Sequence, residues 1–259
     1  MKNKLWFIGL SCLWLLLPCY GAKTQGHYVS RNVEGLSSFH ALVVEGKVKV
    51  DFVQQEKPAV HVSGPQQMVE QASIQVKDGK LEIQFMPQGL LSSSHELHIA
   101  VAGPALDTVH ISGESEVHIR GPLKENRLAL VLTGESEFAA DGITVPSLSI
   151  HAEDRAEVDI NRLESQQVQA KAFGRSSLEL SGLALTAELE NSSLGDIDAE
   201  DLRVQRGTAT IHGKGDIEIS AYETLSASAF GKGRIKYKGT PVSLQSSGYV
   251  QRIVPSLEN

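Results

Sequence analysis

Apolar and polar residues alternate along most of the chain, in short stretches that small, turn-forming residues separate. Clear examples are RLALVLTG from Arg127 and SLSIHA from Ser147. A period of two residues is typical of β-strands that bury one face. Only the segment Pro65–Ala72 is compatible with a short helix. The pattern therefore predicts an all-β fold.

A short motif returns about every twenty residues. SGESEV begins at Ser112, and TGESEF begins at Thr133. If Glu116 and Glu137 are equivalent, continuing in both directions gives a set of positions that we call the anchor column: Glu96, Glu116, Glu137, Glu157, Ser177, Asp196, Asp216 and Arg234. The steps between them are 18 to 21 residues, and this regularity indicates an internal repeat.

Each position around the anchor has a constant chemical character. The residues three before it tolerate positive φ, as a corner requires: Gly113, Gly134, Asp154, Gly174, Ser193, Gly213 and Gly231. From Glu116 onwards, the residues one before it are Ser, Ala or Gly. The residues one and three after it are almost all apolar, and the residue between them is mostly polar. One unit is therefore a strand, a tight corner and a second strand.

Units of this length without intervening helices predict a right-handed parallel β-helix, a solenoid with coils of about 20 residues. A β-sandwich of short hairpins is the alternative, but it does not explain the constant columns. We expect one domain over 36–253. Residues 36–103 are expected to form a cap of antiparallel strands and the first coil, and residues 104–253 the repeats. The hairpin ASIQVKDGKLEIQF, with its Asp78-Gly79 turn, belongs to this cap.

The N-terminus predicts export. Lys2 and Lys4 precede the apolar run Leu5–Leu17, and small residues follow to Ala22, which is the pattern of a signal peptide over 1–22. Lipoprotein processing before Cys19 is the alternative. Cleavage removes Cys12 and Cys19, the two cysteines, and changes the formal net charge from −7 to −9. We expect a bacterial protein of the periplasm or cell surface, without a transmembrane segment in the mature chain. The acidic balance argues against nucleic acid as a partner.

The layout of the chain resembles the exported bacterial family called the putative auto-transporter adhesin head GIN domain. The resemblance rests on FHALVVEGKVKVDF, on the hairpin VKDGKLEI and on the repeated SGESE, TGESE, FGRSS, SLGD, GKGD and GKGR motifs between Phe39 and Ile253. It implies a parallel β-helical fold and a location outside the cytoplasm. It implies no reaction.

Stacked coils would align the anchor column into an acidic stripe. The candidate residues for binding a ligand or cation are Glu116, Glu137, Glu157, Asp159, Asp196, Asp198 and Asp216, followed by a basic patch of Arg234, Lys236 and Lys238. Such a stripe can bind calcium, because carboxylate oxygens suit this ion, or it can dock a basic partner. It can also be an ordinary solvated face that keeps the protein soluble.

Two further clusters deserve comparison with known chemistry. Glu137, Glu157, Asp159, Arg155 and Arg175 combine carboxylates and cations, as polysaccharide lyases and glycosidases with a β-helical fold do. Every pair of neighbouring carboxylates in such a ladder has the same spacing, so the spacing alone does not indicate catalysis. His98 and His118 are twenty residues apart and could stack, but no third metal ligand is evident.

The sequence thus predicts a non-catalytic exported module that binds an envelope protein or a glycan. A polysaccharide-acting enzyme and a cation-stabilised structural protein of the envelope are the alternatives. Apart from possible calcium, no cofactor is predicted.

Overall fold

The computed structural model describes residues 27–86 and 96–256 of the chain. The predicted signal peptide and the serine-rich segment 90–95 lie outside these ranges. The first part contains one short helix and seven strands: β1 (Tyr28–Asn32), β2 (Ala41–Gly46), β3 (Lys49–Gln54), β4 (Ala59–Pro65), α1 (Gln66–Gln71), β5 (Ser73–Lys77), β6 (Lys80–Phe85) and β7 (His98–Gly103).

The remaining strands belong to the repeats, and the longest of them bend around corners. They are β8 (Thr108–Gly113), β9 (Glu116–Ile119), β10 (Leu123–Lys124), β11 (Arg127–Gly134), β12 (Glu137–Ala140), β13 (Ile143–Ala152), β14 (Glu157–Ala172), β15 (Ser177–Asn191), β16 (Ile197–Ile211), β17 (Ile217–Ala229), β18 (Ile235–Lys238), β19 (Ser243–Gly248) and β20 (Ile253–Pro255). A 3-10 helix, Val250–Arg252, connects the last two strands.

The repeats stack as a parallel β-helix, which confirms the predicted fold. Each coil contributes to three faces, as residues 147–152, 157–160 and 163–165 show for one coil. We call these the first, second and third face. Parallel pairing continues from coil to coil on each face, with local register shifts at some bends in β14–β17. The predicted repeat register from Glu116 onwards is therefore correct.

The N-terminal strands are arranged differently from the prediction. Strands β2 and β3 do not cap the solenoid, because they form a coil of their own. This coil lies between the coil of β6 and β7 on one side and the coil of β8 and β9 on the other. The predicted step from Glu96 to Glu116 between neighbouring coils is consequently wrong. The sequence GKVKVDF from Gly46 has the corner and strand pattern of a repeat, but its position breaks the twenty-residue period.

A cap nevertheless covers the N-terminal end. Strand β5 pairs antiparallel with β6, and β4 pairs antiparallel with both β7 and β1. Helix α1 closes the end of the core with Met68 and Val69, which are buried. The antiparallel strands and the short helix expected from the sequence are therefore present.

The predicted apolar columns fill the interior. The residues one after the anchor are all at most 2% exposed: Val117, Phe138, Val158, Leu178, Ile197, Ile217 and Ile235. Burial of such side chains contributes about 1.5–3 kcal/mol each. Small aliphatic residues dominate the core, since a coil only three short strands around leaves little room for aromatic rings.

The corners before the second face are of two types. In four coils the residue three before the anchor has positive φ, as predicted: Gly113, Gly134, Asp154 and Gly174. The corner at Ser193 has no positive φ and is held instead by the buried Asn191 side chain. Its Oδ1 accepts a hydrogen bond from the Ser193 backbone N–H (2.8 Å), and its Nδ2 donates to the Gly195 and Asp216 carbonyls (3.0 Å each).

Replacing Gly134 should test the corner geometry. Gly134 has φ of +84°, and an added Cβ would lie 2.7 Å from the Gly113 carbonyl oxygen. We expect Gly134→Ala to destabilise the protein by about 1–3 kcal/mol or more, since the backbone is both strained and closely packed. Glu135→Ala, on the neighbouring residue, removes only an exposed ion pair with Arg155 and should cost at most about 1 kcal/mol. Urea denaturation measures both, and equal midpoints for the two variants would contradict this account.

Candidate functional site

The outer side of the second face carries two ladders of polar side chains. The first contains the anchor residues from Glu116 onwards, preceded by two residues of the earlier coils, in the spatial order His98, Lys49, Glu116, Glu137, Glu157, Ser177, Asp196, Asp216 and Arg234. Glu96 lies two residues before this ladder, because His98 takes the equivalent position. The second, two residues further along each strand, is Ala100, Asp51, His118, Ala139, Asp159, Glu179, Asp198, Glu218 and Lys236. All seven predicted site residues therefore lie on one face.

The inserted coil changes the N-terminal end of this face. Lys49 lies between His98 and Glu116, and its Nζ is 2.6 Å from Glu116 Oε2. The hydrogen bond to Glu116 raises the pKa of Lys49 above its usual range, although partial burial opposes this shift. His98 and His118 do not stack, because the coil that contains Asp51 separates them. The sequence missed Lys49 since the repeat period does not reach it.

Ion pairs also neutralise the C-terminal end of the face. Arg234 contacts Asp216 at 2.9 Å, Lys236 pairs with Glu218, and Lys238 lies 3.3 Å from Glu200. The predicted basic patch is thus engaged with acidic residues of the preceding coils.

Asp216 is fixed in this network by several contacts. Burial alone would raise its pKa, but hydrogen bonds from the Arg234 backbone N–H and guanidinium, with the charge of Lys236, hold the pKa below the usual range. Asp196 has a similar structural contact, since it accepts a 2.7 Å hydrogen bond from the Asp216 backbone N–H. These two candidates therefore help to join successive coils.

The middle of the face remains strongly acidic. Six carboxylates surround a shallow groove of about 400 Å³: Glu137, Glu157, Asp159, Glu179, Asp196 and Asp198. Within residues 27–86 and 96–256, His118, 3.6 Å from Glu137, is the one basic side chain recorded as an ion-pair partner of these six. We call this region the acidic groove. Its carboxylates repel one another and make the groove attractive to positive charge.

The cluster compared with polysaccharide-acting enzymes is only partly assembled. Glu157 and Asp159 line the acidic groove, but Arg155 lies at the corner and pairs with Glu135. No ion pair is recorded for Arg175 within the described part of the chain. The groove therefore presents carboxylates without a cation held against them.

In the described residues, no group of three or more His, Cys, Asp or Glu side chains could hold a metal ion. Binding of calcium between neighbouring coils stays a prediction. Among these residues there is also no helix long and apolar enough to cross a membrane.

The fold and this face define the class of protein: a parallel β-helix with a polar, mostly acidic outer ladder. The chain belongs to the family described as "Putative auto-transporter adhesin, head GIN domain", whose model matches residues 38–241. This match confirms the resemblance seen in the sequence. No curated protein is significantly similar to the chain.

Solved structures of Parabacteroides and Bacteroides proteins share the fold. A putative adhesin from Parabacteroides distasonis is 22% identical, with a TM-score of 0.81, and the match covers 90% of this chain and 98% of that one. A putative lipid binding protein from the same species is 20% identical, with a TM-score of 0.78 and the same coverage. A putative adhesin from Bacteroides fragilis is 23% identical, with a TM-score of 0.67 over 89% of this chain and 97% of that one.

Removing single charges should change stability in opposite directions in the acidic groove and at the ion pair of Glu116 with Lys49. Glu157 stacks between Glu137 and Ser177, whereas Glu116 contacts Lys49. We expect Glu157→Gln to raise the free energy of unfolding by a few tenths of a kcal/mol, because it relieves repulsion. Glu116→Gln should lower it by up to about 1 kcal/mol. Thermal unfolding at low ionic strength measures both changes, and shifts of the same sign would contradict the assignment.

Asp216 should stabilise the protein only while it is ionised. Its folded-state pKa is lowered, so its contribution is present above the unfolded value near 3.9 and is lost as pH falls through the folded value. We expect Asp216→Asn to cost about 1.5–3 kcal/mol at pH 7, since charged hydrogen bonds are removed. The difference in the free energy of unfolding between this variant and the wild-type protein should become smaller below pH ~4. Urea unfolding across this pH range checks the prediction, and a cost that does not vary with pH would contradict it.

Proposed function

We propose that this protein is a non-catalytic, exported binding module that uses the acidic groove to dock a positively charged segment of a partner protein in the cell envelope. The observation that carries the proposal is the set of six carboxylates around one groove, with only a histidine recorded as a basic partner within the described part of the chain. Elsewhere on the same face, carboxylates are paired with Lys49, Arg234 and Lys236. The unpaired stretch is therefore the part of the face best suited to external cations.

The shape of the face supports a protein partner. Parallel coils place equivalent side chains about 4.8 Å apart, so an extended basic segment can contact several carboxylates in succession. Such contacts mainly increase the rate of association and select the partner by charge. Aromatic side chains that could stack on sugar rings are absent from the residues that line the acidic groove, which favours a protein over a glycan here.

The family description supports binding rather than catalysis. The family and two of the structural relatives are named as adhesins, and one relative is named as a lipid binding protein. Membership of an adhesin family also suggests a protein exported to the cell surface. Processing of the predicted signal peptide and a position in the periplasm or at the surface are parts of this proposal.

The proposal can be tested by crosslinking in native envelopes. The chain beginning at Lys23 is compared with the triple variant Glu157→Gln, Glu179→Gln, Asp198→Asn, which removes three charges from the acidic groove. We expect the wild-type protein to give discrete crosslinked bands that disappear at high salt and in the triple variant, because exposed charges are screened.

A matched control removes the same charge elsewhere. Glu56, Glu70 and Glu164 are exposed and lie outside the acidic groove, so their replacement by Gln should leave the bands unchanged. Loss of the bands in this control, or their persistence in the groove variant, would overturn the proposal. Circular dichroism confirms that all variants keep the strand signal.

A further inference from the structure

The corner between the first and second faces carries a second ladder near the C-terminal end. His212, Phe230 and Tyr249 occupy equivalent positions, since their backbone N–H groups donate to Asn191, Ile211 and Ala229, the last strand residues of the preceding coils. The rings of His212 and Phe230 stack at 5.5 Å between centroids, with an angle of 15° between their planes. Phe230 is 52% exposed and Tyr249 is 53% exposed.

Cations accompany these rings. Lys214 and Lys232 lie at the same corner in successive coils, because their N–H groups donate to Ser193 and Gly213 respectively. The Arg252 guanidinium reaches the corner, where it donates to the Lys232 carbonyl and lies 5.9 Å from the Tyr249 ring centroid. We call His212, Phe230, Tyr249, Lys214, Lys232 and Arg252 the C-terminal corner.

The charge of the C-terminal corner is not compensated locally. From Thr224 to Ser256 the sequence contains five Lys and Arg residues and no Asp or Glu. Arg234, Lys236 and Lys238 of this segment pair with acids of preceding coils. For Lys214, Lys232 and Arg252, no acidic partner is recorded in the ranges that the structure describes. These three cations are therefore available to an external anion.

Exposed apolar side chains extend the same corner. Leu194 precedes Lys214 in the column and is 51% exposed, and Val250 follows Tyr249 and is also 51% exposed. Aromatic and aliphatic groups beside lysine and arginine are the composition of surfaces that insert shallowly at the boundary of a bilayer. The aliphatic stems of lysine can cover apolar surface while their charges reach phosphate groups.

We propose that the C-terminal corner binds the surface of an anionic lipid bilayer. Phe230, Tyr249 and Val250 enter the boundary between head groups and acyl chains, and Lys214, Lys232 and Arg252 contact the phosphates. Charge complementarity identifies the partner, because the C-terminal corner joins exposed apolar groups to cations without acids. The segment from Thr224 to Ser256 contributes cations and no carboxylates, which suits a surface of phosphate groups.

The proposal is tested by sedimentation of the chain beginning at Lys23 with lipid vesicles. Vesicles of phosphatidylcholine alone are compared with equimolar phosphatidylcholine and phosphatidylglycerol, at low and high sodium chloride concentrations. We expect binding to the anionic vesicles, weakened by salt. The double variant Lys214→Gln, Lys232→Gln should bind about 25-fold more weakly, about fivefold for each lysine. Phe230→Ser should weaken binding further without changing its salt dependence.

Two controls make the outcome specific. The double variant Arg127→Gln, Arg155→Gln also removes two exposed cations. Both cations are paired with acids away from the C-terminal corner, so this variant should bind vesicles as the wild-type protein does. The acidic-groove triple variant should also keep vesicle binding, so failure of one proposal is distinguishable from failure of the other. Equal binding to both kinds of vesicle would overturn the lipid proposal, and so would an equal loss of vesicle binding in the control variant. It would also be overturned if the protein bound soluble polyphosphate but did not bind vesicles.

Discussion

Backbone hydrogen bonding between coils is the constraint on which the rest of the structure depends. Each coil must lie about 4.8 Å from the next, so every side chain is stacked on its equivalents above and below. The corners show how tight this constraint is. An added Cβ at Gly215 would lie 1.7 Å from the Gly195 carbonyl oxygen, and at Gly233 it would lie 1.9 Å from the Gly215 carbonyl oxygen. Small residues at these positions are a direct consequence of the coil spacing.

Because of the same spacing, the effect of a charged residue depends on the charges at the equivalent positions of the adjacent coils. An ion pair forms wherever opposite charges occupy equivalent positions in adjacent coils, as at Lys49 and Glu116 or Asp216 and Arg234. Where like charges recur, as around Glu157, the described residues place no Lys or Arg in an ion pair with them. In the acidic groove and at the C-terminal corner, stacked charges of one sign remain for an external partner. Both proposals thus follow from the stacking of coils, which places carboxylates together in the acidic groove and cations together at the C-terminal corner.

The sequence predicted the repeats well because the corner and core columns are constant. Small residues before the anchor and apolar residues after it fix the register from Glu116 to Arg234 without any knowledge of contacts. The coil of β2 and β3 could not be placed in this way, since its neighbours lie far away in sequence. Its motif, GKVKVDF, was visible, but motif alone does not say between which coils a strand is inserted. Lys49 was missed for the same reason.

The sequence predicted which residues share the face of the candidate site, but not which of them form ion pairs. The seven acidic residues do share a face, but which of them are neutralised depends on Lys49 and on the last coils. The C-terminal corner has a weaker sequence signal, because its three ring–cation pairs are about twenty residues apart. Only the stacking of coils brings them together.

The inserted coil also determines the order in which the molecule can assemble. Both edges of β2 and β3 are completed by later segments, β6 and β7 on one side and β8 and β9 on the other. As the chain emerges with its N-terminus first, β2 and β3 can pair with β6 and β7 once residue 103 has followed, but their other edge stays unpaired until residue 119 has followed. Everything up to β9 is then expected to close as one cooperative nucleus of high contact order, whereas each later coil can add to a finished template as it arrives.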